Sequence, residues 1–141
     1  MFLRVNKETK MKQTNYGYSV KTSLTFDQAI AKATDELKKN GFGVLTEIDV
    51  KDTLKKKINL DFRRYQILGA CNPHLASRAL KEELEIGLLL PCNVIVYEND
   101  DHTATVSFLS PKAQFSVTGR SDLGPLVDEA EGLIRKIAEQ I

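Results

Sequence analysis

The chain has 141 residues, of which 42% are hydrophobic and 28% charged, and its 20 Lys and Arg against 19 Asp and Glu leave a formal net charge of +1. That balance describes an ordinary soluble globular domain with one hydrophobic core, and it lacks the concentrated cationic surface that drives nucleic-acid binding. No run approaches the roughly 20 apolar residues of a membrane-spanning helix, the longest being Ile86–Cys92, so neither a membrane nor a nucleic acid is an expected partner.

Residues 1–10 hold no apolar core and no small-residue cleavage site of a secretory signal, which points to the cytoplasm. Met11 is an alternative start, and residues 1–13 are expected to form a flexible N-terminal extension ahead of a single domain over 14–141. Gly17–Thr22 alternates like a strand. Thr25 and Gln28 have capping-box spacing, with Phe26, Ala29, Ile30, Ala33 and Leu37 on one face and Asn40-Gly41 as a left-handed stop, predicting a helix over 26–40. A strand at 42–50 and a short helix at 51–58 follow. The run 65–71 reads as a buried strand ending at Asn72-Pro73, an N-cap followed by proline at the first helical position, so a helix is expected over 73–85. The β-rich runs 93–98 and 103–108, joined by Asn99–His102, predict an antiparallel hairpin. A further strand is expected at 115–118, and then a helix capped by Asp122 with Leu123, Leu126, Val127, Ala130, Leu133, Ile134 and Ile137 along one side. This order favours an α+β fold in two layers, with helices packed on a mixed, mostly antiparallel sheet, over a doubly wound parallel arrangement.

Chemistry concentrates at Leu68–His74. A strand that runs through Cys71 into a helix capped at Asn72 leaves backbone donors facing an anion or thiolate, and His74 stands in the first helical turn. Cys92-Asn93 begins another strand, so antiparallel pairing can bring the two sulfurs together. Separate buried thiols are the simplest outcome, a redox pair is open, and a structural disulfide does not suit a cytoplasmic chain. Cys71, His74 and Cys92 also match zinc-ligand chemistry, but with no Cys-x-x-Cys pair no metal is expected, and no cofactor is named by the sequence. Residues 51–64 carry six cations against two carboxylates, with Phe62 and Tyr65 as potential stacking partners; a solvated face explains them better than nucleic-acid contact. Phosphate loops, nucleophile elbows, metalloprotease helices and EF-hand loops are absent, and Glu82, Glu83 and Glu85 read as a polar helix face.

The paired segments Leu68-Gly-Ala-Cys-Asn-Pro73 and Gly87-Leu-Leu-Leu-Pro-Cys-Asn-Val94 resemble the hallmark segments of the domain-of-unknown-function family numbered 302, over roughly residues 14–141. The resemblance implies a compact α+β domain, often dimeric, with no established activity and motifs centred on Cys71, Asn72, Pro73, Pro91, Cys92 and Asn93. His74 and the basic run lie outside what it carries. The expected function is a ligand-binding or sensing module taking a small molecule near Cys71, Asn72, His74, Cys92 and Asn93, in a homodimer. The alternatives are a thiol-dependent or metal-assisted enzyme, and a structural or protein-interaction module.

Overall fold

The computed structural model describes residues 11–141, and the sequence expectations for residues 1–10 lie outside them. Six strands form one sheet: β1 Met11–Gln13, β2 Gly17–Lys21, β3 Gly43–Asp49, β4 Tyr65–Cys71, β5 Cys92–Glu98 and β6 Ala104–Leu109. Their order is β1-β2-β6-β5-β4-β3, with every neighbouring pair antiparallel. The α+β class is therefore as read from sequence, and the parallel strands that would make the sheet mixed are absent among the described residues. Met11–Gln13, assigned to the flexible extension, instead pair with β2 in the register Met11↔Val20.

Among the described residues five α-helices accompany the sheet: α1 Phe26–Lys39, α2 Val50–Ile58, α3 Pro73–Glu82, α4 Pro111–Ser116 and α5 Gly124–Glu139. Thr25 accepts from Gln28 N while the Gln28 side chain accepts from Thr25 N, so the capping box is closed at both ends. Gly41, at φ +83°, supplies the left-handed turn after α1 that a side chain would strain. Asn72 Oδ1 accepts from Leu75 N at 3.2 Å and caps α3, with Pro73 next to it. Asn72→Ala is expected to cost about 1 kcal/mol and Pro73→Ala less, read from urea midpoints; equal midpoints for Asn72→Ala and wild type would remove the cap from the account.

Three expectations are corrected. Helix α3 ends at Glu82, and Leu84–Leu89 form a tighter 3-10 segment before the cis Leu90–Pro91 bond, because Glu83 is extended at φ −158°. The strand expected at 115–118 is replaced by α4, whose cap Ser110 accepts from Ala113 N and whose first residue is Pro111. Asp122 does not cap the last helix: its carboxylate is engaged by the Arg120 guanidinium at 2.6 and 3.1 Å, and α5 starts two residues later with no side-chain cap.

The apolar faces of α1, α3 and α5 pack on the sheet face formed by Tyr18, Val20, Leu68, Ala70, Val94, Val96, Val106 and Phe108, all buried. Among the described residues two carboxylates are buried, Glu36 of α1, which is paired with Lys32 and Lys39, and Glu131 of α5. Glu131 of α5, 8% exposed, accepts from Tyr18 Oη of β2, from Ser110 Oγ at 2.7 Å and from Lys112 N at 2.9 Å, tying α5 to the sheet and to the start of α4. Burial alone would raise its pKa, but the three donors outweigh that and hold the carboxyl below its ordinary value. The same burial, together with the carboxylate, pushes the Tyr18 phenol up to about 12.

Along the opposite sheet face, Ile48, Ile67 and Ile95 lie side by side across β3, β4 and β5 and continue into Ser107 and Ser19, while Tyr65 and Tyr97 stack with ring centroids 5.7 Å apart.

Candidate functional site

The ends of β4 and β5 meet the N-terminus of α3, and there the two hallmark segments come together. Ala70 and Cys92 are cross-strand partners, so Cys71, at the last position of β4, lies beside Cys92 at the first position of β5. Gly69 explains why the first segment has glycine before Ala70. A Cβ there would overlap Thr46 Oγ1 from β3 and stand 2.9 Å from Pro91 Cγ, so the second segment's proline closes directly over the first segment's glycine.

Beneath α3 and α5 is a narrow cleft with about 30 Å³ of free volume, room for a water or two. Cys71, Asn72 and Cys92 line it from the strand ends, Ala76 and Ala79 from α3, and Ala130 from α5; Phe42, Leu90, Phe115 and Leu126 complete an almost wholly apolar wall. The alanines create the space, since larger side chains on those two helices would fill it. Gln114 of α4 holds the Cys92 thiol: its Nε2 donates to Leu89 O, which fixes the amide so that Oε1 accepts from Cys92 Sγ at 3.3 Å.

Both cysteines are free thiols. Burial pushes Cys71 up, and it pushes Cys92 up with a further contribution from Cys71. The α3 N-terminus does not depress the Cys71 thiol; the net shift is in the opposite direction. A thiol held protonated is a poor nucleophile and a poor metal ligand at neutral pH.

The other two residues expected at the site lie elsewhere. His74 is exposed on α3 and is not part of the cleft wall, because Leu75, Ala76 and Ala79 supply the inward face of that helix. Asn93 follows Cys92 on a strand and therefore points to the opposite side of the sheet, where it borders a separate hollow. Among the described residues no group of three or more His, Cys, Asp or Glu is arranged to hold a metal ion.

The basic run is largely paired. Lys51 donates to Phe62 O, Lys55 meets Asp61 at 2.9 Å, Lys56 meets Asp52 at 2.9 Å, Arg63 meets Asp100 at 3.4 Å, and Arg64 meets Asp27 at 2.8 Å while lying 4.4 Å above the Phe26 ring. Four of the run's six cations thus meet carboxylates, which reduces the positive charge available to phosphate. No helix of the described residues is long and apolar enough to cross a membrane.

What sequence reasoning missed is the far wall. Phe115, Leu126 and Ala130 come from the C-terminal third of the chain and carry no local mark of a site; the one available signal was the run of alanines at helical spacing opposite the cysteines.

The family model described as "Domain of unknown function DUF302" matches residues 18–141. A crystal structure of an uncharacterized conserved DUF302 protein from Bacillus stearothermophilus superposes with a TM-score of 0.82 at 29% sequence identity, covering 90% of this chain and 98% of that one. No curated protein matches the chain.

Proposed function

The chain belongs to the family of the domain of unknown function DUF302, and from that premise we propose that it is a binding module whose cleft under α3 and α5 takes a slender apolar group, such as the end of an unbranched alkyl chain. The observation that carries this reading is the chemistry of the cleft wall: apolar on nearly every side, with the two hallmark segments at its mouth and protonated thiols inside. Those thiols favour binding over thiolate catalysis, since a nucleophilic cysteine needs a neighbour that lowers its pKa. Cys71, Asn72 and Cys92 form the ligand-facing set in this proposal. The working state is a homodimer in the cytoplasm, a compartment that suits two adjacent unpaired thiols.

Alkylation of the native protein by iodoacetamide tests this. Slow modification of Cys71 and Cys92 is expected at neutral pH, accelerating only above the ordinary thiol range because both pKa values are raised, and n-hexanol is expected to slow it further by occupying the cleft. Rapid modification at neutral pH with a pKa below the ordinary thiol value would return the thiol-enzyme alternative.

A further inference from the structure

On the sheet face turned away from the helices the charged strand positions are Lys12 of β1, in register with Ser19, and Lys21 of β2, in register with Thr105; no carboxylate occupies a strand position there. Lys21 meets Asp101 at 3.7 Å, whereas Lys12 has no carboxylate partner among the described residues. Next to Lys12, at Ser19, the surface sinks into a hollow of about 450 Å³. Ser19, Ser107 and Asn93 line it together with two aromatic side chains, Tyr97 and Tyr16, the latter 70% exposed. Its polar groups are unoccupied. Ser107 Oγ donates to Ser19 Oγ at 3.0 Å, which leaves the Ser19 hydroxyl proton free, and among the described residues the Asn93 amide and the Tyr16 and Tyr97 hydroxyls have no hydrogen-bond partner.

We propose that this hollow binds an adenine nucleoside monophosphate, independently of the cleft on the helix side. Each part of such a ligand meets a group suited to it. The tyrosine rings offer faces on which a planar base stacks, and the Asn93 amide presents a donor and an acceptor side by side, the pattern that pairs with the edge of adenine. The serine hydroxyls suit a ribose, and the unpaired Lys12 ammonium suits the phosphate. These groups also stand in the required order. The strands β5, β6, β2 and β1 are successive neighbours, so Asn93 and Lys12 are three strand spacings of ~4.8 Å apart, roughly 14 Å, and the long lysine side chain shortens that to the span from a purine edge to its 5′-phosphate. Charge selects the same class. With lysines on the face and no carboxylate at any of its strand positions, an anion is attracted and a cation is not. One mononucleotide needs one such cation, not the concentrated basic surface that a nucleic acid requires.

Titration of the isotope-labelled full chain with AMP tests this, with adenosine and inorganic phosphate as comparison probes. The expected result is saturable amide shifts centred on Ser19, Asn93 and Ser107 with AMP, binding about 10-fold weaker with adenosine, and no saturable shift at these residues with inorganic phosphate. Asn93→Ala is expected to weaken AMP binding by about 10-fold, and Lys12→Ala to lower it to the level of adenosine while leaving adenosine binding unchanged; both positions are exposed, and far-UV circular dichroism establishes that each variant is folded. Lys57→Ala, in the basic run on α2, is expected to change nothing. If either variant fails to fold, the comparison of AMP with adenosine on the wild-type chain decides. No saturable shift with millimolar AMP, shifts centred on α2, equal affinity for AMP and adenosine, or AMP binding that persists unchanged in folded Asn93→Ala and Lys12→Ala overturns the proposal.

Discussion

Replacing Glu131 with alanine is expected to lower the unfolding free energy by about 3 kcal/mol, the largest single-residue effect foreseen for the fold. The carboxylate is the common acceptor for Tyr18 Oη, Ser110 Oγ and Lys112 N, so its removal strands three donors at the junction of α5, β2 and α4 and leaves a void besides. Glu131→Gln keeps the volume and one acceptor oxygen and is expected to lose about half as much. The effect depends on pH in a defined direction. Because the folded-state pKa lies below the unfolded value, the carboxylate's contribution is fully present above the ordinary glutamic acid range and is lost as pH falls through the folded value. Urea titrations across the acid range should therefore show wild type and Glu131→Gln converging at low pH. A constant gap between them at every pH would mean that the charge itself contributes nothing.

Gly69→Ala is expected to cost about 2 kcal/mol, near the middle of the range for overpacking a well-packed position. The added methyl meets Thr46 Oγ1 and, at 2.9 Å, Pro91 Cγ; Gly69 itself is buried, so the Thr46 hydroxyl and the rigid Pro91 ring must both shift to admit it. Thr46→Ala in the same chain removes the closer obstacle and should recover part of the loss, giving a coupling that two independent sites would not show. Additive effects in the double variant would place the strain at Pro91 alone.

Much of this fold is legible in the sequence where a local chemical signal decides the backbone. The Thr25–Gln28 box, the Asn72-Pro73 cap and the turn at Asn99–His102 are all present, because each satisfies its own backbone groups within a few residues. The errors come where two local signals compete or where pairing is distant. Phe115-Ser-Val-Thr118 has strand-forming composition, yet the Ser110-Pro111 pair a few residues earlier carries the same cap-and-proline signal as Asn72-Pro73, and the helix prevails. Asp122 looks like a cap until Arg120 takes its carboxylate. Met11–Gln13 are too few to show alternation, and only their pairing with β2 makes them a strand.

The site divides the same way. Antiparallel pairing of β4 with β5 is enough to bring the Cys71 and Cys92 positions together, and that much is legible. Simple periodicity separates the rest: residues 92 and 93 face opposite sides of a strand, and His74 falls outside the helical stripe of Leu75, Ala76 and Ala79. The far wall, from Phe115 to Ala130, is brought in by tertiary packing that no local pattern encodes. Glu131 did leave a trace, a carboxylate on the otherwise apolar stripe of α5, where an unpaired charge would be costly and a set of donors is therefore required.

The central claim, that the cleft under α3 and α5 receives a slender apolar group, is tested most directly by titrating the isotope-labelled protein with n-hexanol and following backbone amide shifts. The account predicts saturable shifts confined to the cleft, centred on Cys71, Ala79 and Ala130, and their loss in Ala76→Leu, whose larger side chain fills the opening while its helix remains intact. Shifts scattered over the surface, shifts centred on the sheet face turned away from the helices, or binding that survives Ala76→Leu unchanged would contradict it.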